Sequence, residues 1–345
     1  MSSNGFNHTF EVSSLVQLEE HIQNEVKNIN YFVESSNLFE CSSHVVLKIF
    51  TDWKKEDLEL VQFKDGITNK LVKCTNKALN FSVLIRAYGN KSEVLIDRKQ
   101  EIYNLVTLSS LGMSPPFYGR FSNGLVYGFI EGTAFSVPDL SNSCKSSLVA
   151  EHLAAWHNVN IAGEKKPKLF VTLKKWLKEE LNTELTNLEL ELTKVNSPVV
   201  FCHNDLLYGN IIYNETTKKV SFIDYEYGCY SYRGFDIGNH FCEFAGFECD
   251  YSLYPDKKFQ FQWLRHYLNT FNSAKGEMLR DNDVTDNELF TLYREVNKFA
   301  LASHFYWGLW ALVQAQLSDI DFDYMEYAVL RFKEYYKRKN EFLSL

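Results

Sequence analysis

Residues 199–226, VVFCHNDLLYGNIIYNETTKKVSFIDYE, decide the fold. Asp205, Asn210 and Asp224 stand there among Val199, Val200, Phe201, Ile211, Ile212, Val220, Phe222 and Ile223. Burying an unsatisfied polar group costs about 2 to 7 kcal/mol, and an isolated charge costs more. Two carboxylates and an amide in such a run therefore point to a bound cation. Residues 211–213 and 220–223 read as short strands of β-branched and aromatic residues, with polar NETTKK as the turn between them. Antiparallel pairing is expected to set Tyr213 near Ser221 and to carry Asn210 toward Asp224. Oxygen ligands of that kind suit Mg²⁺, which shares its shell with water and phosphate. Asp205 lies one short loop earlier, free to face whatever the metal holds.

The spacing carries a second message. His203-Asn204-Asp205, four residues, Asn210 and then Asp224 repeat the order of a phosphoryl-transfer loop. That chemistry needs a carboxylate to take the proton of an attacking hydroxyl, and metal to offset charge on the transferred group. Taken singly, each residue reads equally well as a turn cap. The three together, flanked by apolar residues, read as a site.

The 345 residues suffice for one large domain or two lobes. A hydrophobic content of 45%, with 27 Phe and 20 Tyr, excludes a disordered chain. The net charge of -8 argues against nucleic acid and anionic membrane as partners. MSSNGFNHTF lacks the basic and apolar regions of a secretory signal, and no run reaches the roughly 18 to 20 apolar residues of a span. Seven scattered Cys without a C-x-x-C pair read as reduced thiols of a cytoplasmic protein rather than a zinc site.

Along the chain, residues 6–33 become helical, with Leu15, Leu18, Ile22, Val26 and Ile29 at helical spacing. HVVLKIF (44–50) reads as a buried strand, and residues 53–63 as a short helix leading to a strand. Asp65, Gly66, Ile67, Thr68 and Asn69 form a turn in which Gly66 lets the backbone approach a ligand; alone it is a plain hairpin turn. The strand FSVLIRAYGN (81–90) carries Arg86, either an edge-strand surface residue or a phosphate ligand. A helix follows from near Asp97, offering Asp97 or Glu101 as partner for Arg86, and Gly112 ends it. Residues 117–135 read as a hairpin turned at Asn123-Gly124, its second strand running into Glu131-Gly132 as a connector. The remainder is mostly helical outside the central stretch. Asp236 reads as a loop brace, and Glu243, flanked by Phe241 and Phe244, calls for a cationic partner. Trp307 and Trp310 share a helical face, with Tyr327 in a second helix. Aromatic faces attract ammonium ions by roughly 0.5 to 2 kcal/mol each, although plain core packing is the simpler account of such a stripe.

FKDGITNKL, CHNDLLYGNIIY, FIDYEY, FDIGNHFCEFAG, SHFYWGLWALVQAQ and IDFDYMEYAVLRF stand in the order of the choline/ethanolamine kinases, which this chain resembles from about residue 40 onward. Their wording looks more like the ethanolamine branch. The resemblance implies an α+β, protein-kinase-like, two-lobed fold. Its expected parts are a helical extension over 1–40, a strand-rich N-lobe binding ATP over 41–131 and a mainly helical C-lobe over 132–345. It implies that Asp205 is the base, acting with Asn210 and Asp224, and that Asn210, Asp224 and Glu226 bind Mg²⁺. It gives the loop 65–71, including Asp65, Gly66, Thr68 and Asn69, and Arg86 to the ATP phosphates, with Glu101 also among the cofactor-binding residues. Residues 128–134, including Phe129 and Ile130, would hold the adenine, and Ile223 would also bind the cofactor. Asp205, Glu243, Trp307, Trp310 and Tyr327 would take the amine.

The implied reaction is phosphorylation of ethanolamine by Mg·ATP, with choline or dual specificity as the alternative. A homodimer stands among the expected partners. An aminoglycoside-type phosphotransferase shares the H-x-D-x4-N spacing, but a polycationic sugar would want acids rather than paired Trp. A non-catalytic nucleotide- or amine-binding protein would be expected to have lost one of Asp205, Asn210 and Asp224. Without HRD, DFG or APE strings, a protein substrate is not expected.

Overall fold

The computed structural model describes residues 16, 18–20, 22, 26–63, 69–89, 92–177, 181–273, 284–318 and 320–345. It divides into two compact units, Met1–Glu131 with Ile161–Gly163, and Gly132–Asn160 with Glu164–Leu345.

Among its described residues the first unit holds a six-stranded sheet in the order β1-β5-β6-β4-β3-β2. The strands are β1 (Lys27–Ile29), β2 (Leu58–Phe63), β3 (Asn69–Asn76), β4 (Phe81–Tyr88), β5 (Phe117–Phe121) and β6 (Gly124–Gly128). β1 runs parallel to β5, and the other pairs are antiparallel. Helix α1 (Leu38–Ile49) packs on this sheet, burying Cys41, Val45, Val46 and Ile49 against Val72, Cys74, Val83, Ile85 and Val126. HVVLKIF is therefore largely helix, not strand. Its β-branched run is the second half of a longer stripe, Leu38, Cys41, Val45, Val46 and Ile49, spaced three and four apart. The expected N-terminal helix is present at Val16, Leu18, Glu19, Glu20 and Ile22, but Ile29 lies in β1. The helix α2 (Arg98–Ser110) begins where expected, because the Asp97 side chain caps it by accepting the Gln100 N–H at 3.1 Å.

The second unit is mainly helical: α3 (Ser143–His157), α4 (Leu169–Trp176), α5 (Asn182–Thr193), α6 (Arg233–Cys242), α7 (Lys257–Ser273), α8 (Asp286–Leu317) and α9 (Tyr324–Ser344). The 32-residue α8 packs against both α6 and α9. Gly238 of α6 permits the first contact, since a Cβ there would lie 2.7 Å from the Val296 carbonyl oxygen. Two small sheets carry the loops between helices. β7 (Thr133–Ala134), β9 (Ile211–Asn214) and β10 (Lys219–Phe222) form one, and β8 (Val199–Cys202) with β11 (Cys229–Tyr232) the other.

The central hairpin forms, with its register one residue from expectation. Tyr213 pairs with Val220, and Ile211 with Phe222. The Asn214 side chain sets this register by accepting the N–H groups of Thr216 and Thr217 at 3.0 and 2.9 Å, and Lys218 closes the turn at φ +55°. Asn210 is consequently level with Ile223, whose N–H donates to the Asn210 carbonyl at 3.0 Å. Asp224 follows at φ +66°, a left-handed conformation that Asp tolerates better than most residues.

Candidate active site

The loop after β8 is fixed from beneath. The Asp236 carboxylate, fully buried in the first turn of α6, accepts the N–H groups of His203 and Asn204, both at 2.7 Å. His157 Nε2 lies 2.9 Å from the same carboxylate, and His157 Nδ1 lies 2.7 Å from the Tyr267 hydroxyl. Burial alone would raise the Asp236 carboxyl, but His157, His203 and the backbone N–H hold it below the usual range. The bracing role expected of Asp236 is the one it performs.

His203 joins the loop to the hairpin. Burial holds its imidazole below the ordinary histidine range, and its Nε2 lies 2.9 Å from the Ile223 carbonyl. The neutral ring therefore donates through Nε2, and Nδ1 accepts the Asp205 N–H at 3.3 Å. Further ties come from α6 and from the turn after Asp224. His240 Nδ1 meets the Leu206 carbonyl at 2.9 Å, and Asn204 Nδ2 donates to the Tyr227 carbonyl at 2.8 Å.

These ties bring Asp205, Asn210 and Asp224 together. Asn210 Nδ2 donates to the Asp205 backbone carbonyl at 2.7 Å and to its Oδ2 at 3.1 Å. With its nitrogen so committed, the amide keeps its oxygen for another partner. Asp205 is 8% exposed. Burial, then the carboxylates of Asp224, Glu243 and Glu226, push it well above the usual range, and the Asn210 bond offsets only part of this. The corner thus gathers acids whose charges oppose one another, and hard oxygen donors in that state fit a divalent cation such as Mg²⁺. The set includes Glu226, which is buried.

Glu243 lies in a short 3-10 turn after α6, and its cationic partner comes from within the chain. Arg331 Nη1 of α9 donates to Glu243 Oε1 at 3.1 Å and to the Tyr327 hydroxyl at 3.2 Å. Trp307 and Trp310, both buried in α8, meet edge to face at 5.4 Å. Each indole N–H is used: Trp307 donates to Asn239 Oδ1 at 2.7 Å, and Trp310 to the Tyr227 hydroxyl at 2.8 Å. Tyr227, Asn239, Ser303 and Arg331 belong to this group although the sequence reading gave them no role. Tyr227 stands one residue past Glu226 and Arg331 four past Tyr327, so position relative to recognised residues was the available signal.

In the first unit, the choice of partner for Arg86 falls on Glu101, at 3.3 Å, with both side chains buried. Arg98 also donates to Glu101, at 2.9 Å, while Asp97 is used as the helix cap. Asn69 opens β3 opposite Tyr88. Asp65, Gly66 and Thr68 lie outside the described residues. The Phe129 ring carries Lys73 Nζ at 3.8 Å from its centroid, and Ile130 follows it in the chain.

The model of the family described as "Choline/ethanolamine kinase" matches residues 60–336. The chain is 44% identical to ethanolamine kinase 1 of Mus musculus over 319 residues, covering 85% of this chain and 87% of that protein. It is 41% identical to a probable ethanolamine kinase A of Dictyostelium discoideum, covering 85% and 88%. Among solved structures it is similar to a Plasmodium vivax ethanolamine kinase, at 28% identity and a TM-score of 0.78, covering 97% of this chain and 95% of that one.

Proposed function

The chain belongs to the choline/ethanolamine kinase family, and from that membership we infer that it is an ethanolamine kinase, phosphorylating ethanolamine to phosphoethanolamine at the expense of ATP. This reaction opens the CDP-ethanolamine route to phosphatidylethanolamine. The architecture, a strand-rich first unit and a helical second one, is the α+β protein-kinase-like fold expected from the motifs.

One observation carries the chemistry: the Asp205 carboxylate is buried with its Oδ2 3.1 Å from Asn210 Nδ2, in the corner whose acids also include Asp224, Glu226 and Glu243. A carboxylate so placed accepts the hydroxyl proton of the substrate as its oxygen bonds to the γ-phosphorus of ATP. The bond from that phosphorus to the bridging oxygen breaks, ADP leaves, and Asp205 passes the proton to solvent. Asn210, Asp224 and Glu226 would hold Mg²⁺. When bound, the ion supplies positive charge that offsets charge on the transferred group. Glu243, Trp307, Trp310 and Tyr327 would receive the ammonium. For the nucleotide we assign Arg86, oriented by Glu101, and the loop with Asp65, Gly66, Thr68 and Asn69 to the phosphates. Phe129 and Ile130 we assign to the adenine, and Ile223 we count among the nucleotide-binding residues of the second unit.

A second reading, dual ethanolamine and choline activity, is favoured by the rings of Tyr227, Trp307, Trp310 and Tyr327, since aromatic faces also attract quaternary ammonium. Measuring kcat/KM for both amines side by side with Mg·ATP separates the readings. A higher value for ethanolamine is expected. A choline preference overturns the choice of amine, and turnover of neither overturns the kinase assignment.

We place the enzyme in the cytoplasm as a homodimer. All seven cysteines are unpaired, and among the described residues no helix is long and apolar enough to cross a membrane. Cell fractionation and sedimentation test the two statements.

A further inference from the structure

A single buried hydrogen-bond chain connects the two kinds of group assigned to the amine. It begins at Trp307, whose Nε1–H donates to Asn239 Oδ1 at 2.7 Å. The Ser303 hydroxyl donates to the same oxygen at 2.8 Å and itself accepts from Arg331 Nη2 at 2.9 Å. The other guanidinium nitrogen, Nη1, reaches Glu243 Oε1 at 3.1 Å and the Tyr327 hydroxyl at 3.2 Å. Asn239 and Ser303 are fully buried, and Arg331 is 1% exposed. The chain gathers groups from α6, α8, α9 and the turn holding Glu243.

A buried ion pair is weak evidence of stabilisation, because well-packed apolar residues of similar volume often serve as well or better. The two ends of this chain are not arbitrary core groups. One is the acid and the other the indole that the proposed function gives to the substrate ammonium. We propose that Arg331 is the positioning residue of the amine site, and this rests on that function. By binding Oε1 of Glu243 it turns Oε2 toward the substrate ammonium. By binding Ser303 it fixes, through Asn239, the plane of the Trp307 ring. It also balances one of the acidic charges, which suits the site to a monocation. A primary ammonium donates hydrogen bonds to Oε2, whereas a quaternary ammonium cannot, so Arg331 bears most heavily on ethanolamine.

The test is steady-state kinetics of Arg331→Met, Arg331→Lys and Ser303→Ala with Mg·ATP, ethanolamine and choline. Choline serves as a competitive inhibitor if it is not turned over. Thermal unfolding of each variant is followed in parallel. Arg331→Met is expected to raise the ethanolamine KM by roughly ten- to a hundred-fold, the loss expected for hydrogen bonds to a charge. The KM for ATP should stay near wild type, and preference should shift toward choline. Lys, keeping the charge without the fork, should recover part of the loss. Should Arg331→Met fail to fold, Ser303→Ala, which removes one contact of Arg331, gives the same selectivity shift at smaller size. A lowered unfolding temperature with unchanged ethanolamine-to-choline preference in the folded variants overturns the proposal and leaves Arg331 a structural brace. Failure of the wild-type enzyme to use either amine is a different result and overturns the kinase assignment beneath it.

Discussion

Asp236 Oδ1 accepts the backbone N–H of Asn204 at 2.7 Å, one residue ahead of the proposed base. Its other oxygen accepts the His203 N–H and meets His157, so one carboxylate sets the origin of the whole loop. Asn204 itself stands at φ +65°, a left-handed conformation that Asn tolerates better than most residues. Asp236→Asn would turn an NH₂ group toward a backbone N–H or toward His157, leaving a buried donor unmet at a cost of about 1 to 3 kcal/mol. We expect a lowered unfolding temperature and a fall in kcat of about ten-fold or more, with the KM for ethanolamine nearly unchanged. A variant with wild-type kcat would show that the loop holds its shape without this carboxylate.

Asp205→Asn is expected to abolish turnover while leaving ATP binding nearly intact, measured by calorimetric titration. It should also make the metal-free protein more stable. The folded-state carboxyl has its pKa raised by burial and by Asp224, Glu243 and Glu226. A raised carboxyl stabilises the fold at low pH, and that contribution is lost as pH rises and the group ionises. The gain in unfolding temperature from Asp205→Asn should therefore be larger at pH 8 than at pH 5, and Mg²⁺ should stabilise wild type more than the variant. Wild-type-like turnover would remove Asp205 from the base role.

The order of motifs made the fold and the acidic corner legible in advance. Asp205, Asn210 and Asp224 lie in an apolar stretch short enough that only one hairpin could bring them together. The register of that hairpin was not legible, because it depends on Asn214 accepting two N–H groups, which the letters NETTKK permit but do not require. HVVLKIF was misread because β-branched residues favour strands locally, while the stripe from Leu38 to Ile49 answers to a sheet formed by distant residues. Glu243 visibly lacked a partner in sequence. That Arg331, 88 positions later, supplies it follows from the packing of α6 and α9 on α8.

Trp310 is expected to act on the amine alone. Its indole N–H donates to the Tyr227 hydroxyl, and its ring meets those of Trp307 and Tyr324. Trp310→Ala should raise the ethanolamine KM by roughly three- to thirty-fold, the scale of one cation–π contact, with the ATP KM little changed. Trp310→Phe keeps a ring and should fall between. Unchanged amine kinetics would return Trp310 to simple packing.

Acid should loosen the protein through His240. Burial lowers its pKa from 6.5 to about 4, and Nδ1 donates to the Leu206 carbonyl. A histidine with a depressed folded-state pKa contributes stability above its unfolded value, and this is lost as pH falls from about 6.5 toward about 4. His203, also held low by burial, shifts in the same direction, so unfolding temperature should drop through this window, with the lowered Asp236 adding its loss only at more acid pH, below its unfolded value of 3.8. His240→Gln, which keeps a donor for Leu206 but cannot take up a proton, should flatten part of that drop in scans at pH 7, 6, 5 and 4.5. An equally steep profile in the variant would assign the acid sensitivity to other groups.

Gly238 sets how closely α6 can approach α8, and with it the spacing of two parts of the amine site. A Cβ at this position would meet backbone on the far helix, 2.7 Å from the Val296 carbonyl oxygen and 2.9 Å from the Ala300 nitrogen. Neither atom can swing aside as a side chain would, so Gly238→Ala must separate the helices locally, at about 1 to 3 kcal/mol. One residue further along α6, Asn239 bonds to Ser303 and Trp307 of α8. Those bonds would lengthen with the separation. The expected outcome is a lowered unfolding temperature together with a raised ethanolamine KM, although Gly238 itself has no side chain to touch substrate. Loss of stability with unaltered amine kinetics would show that the two helices carry the site independently of their spacing at this glycine.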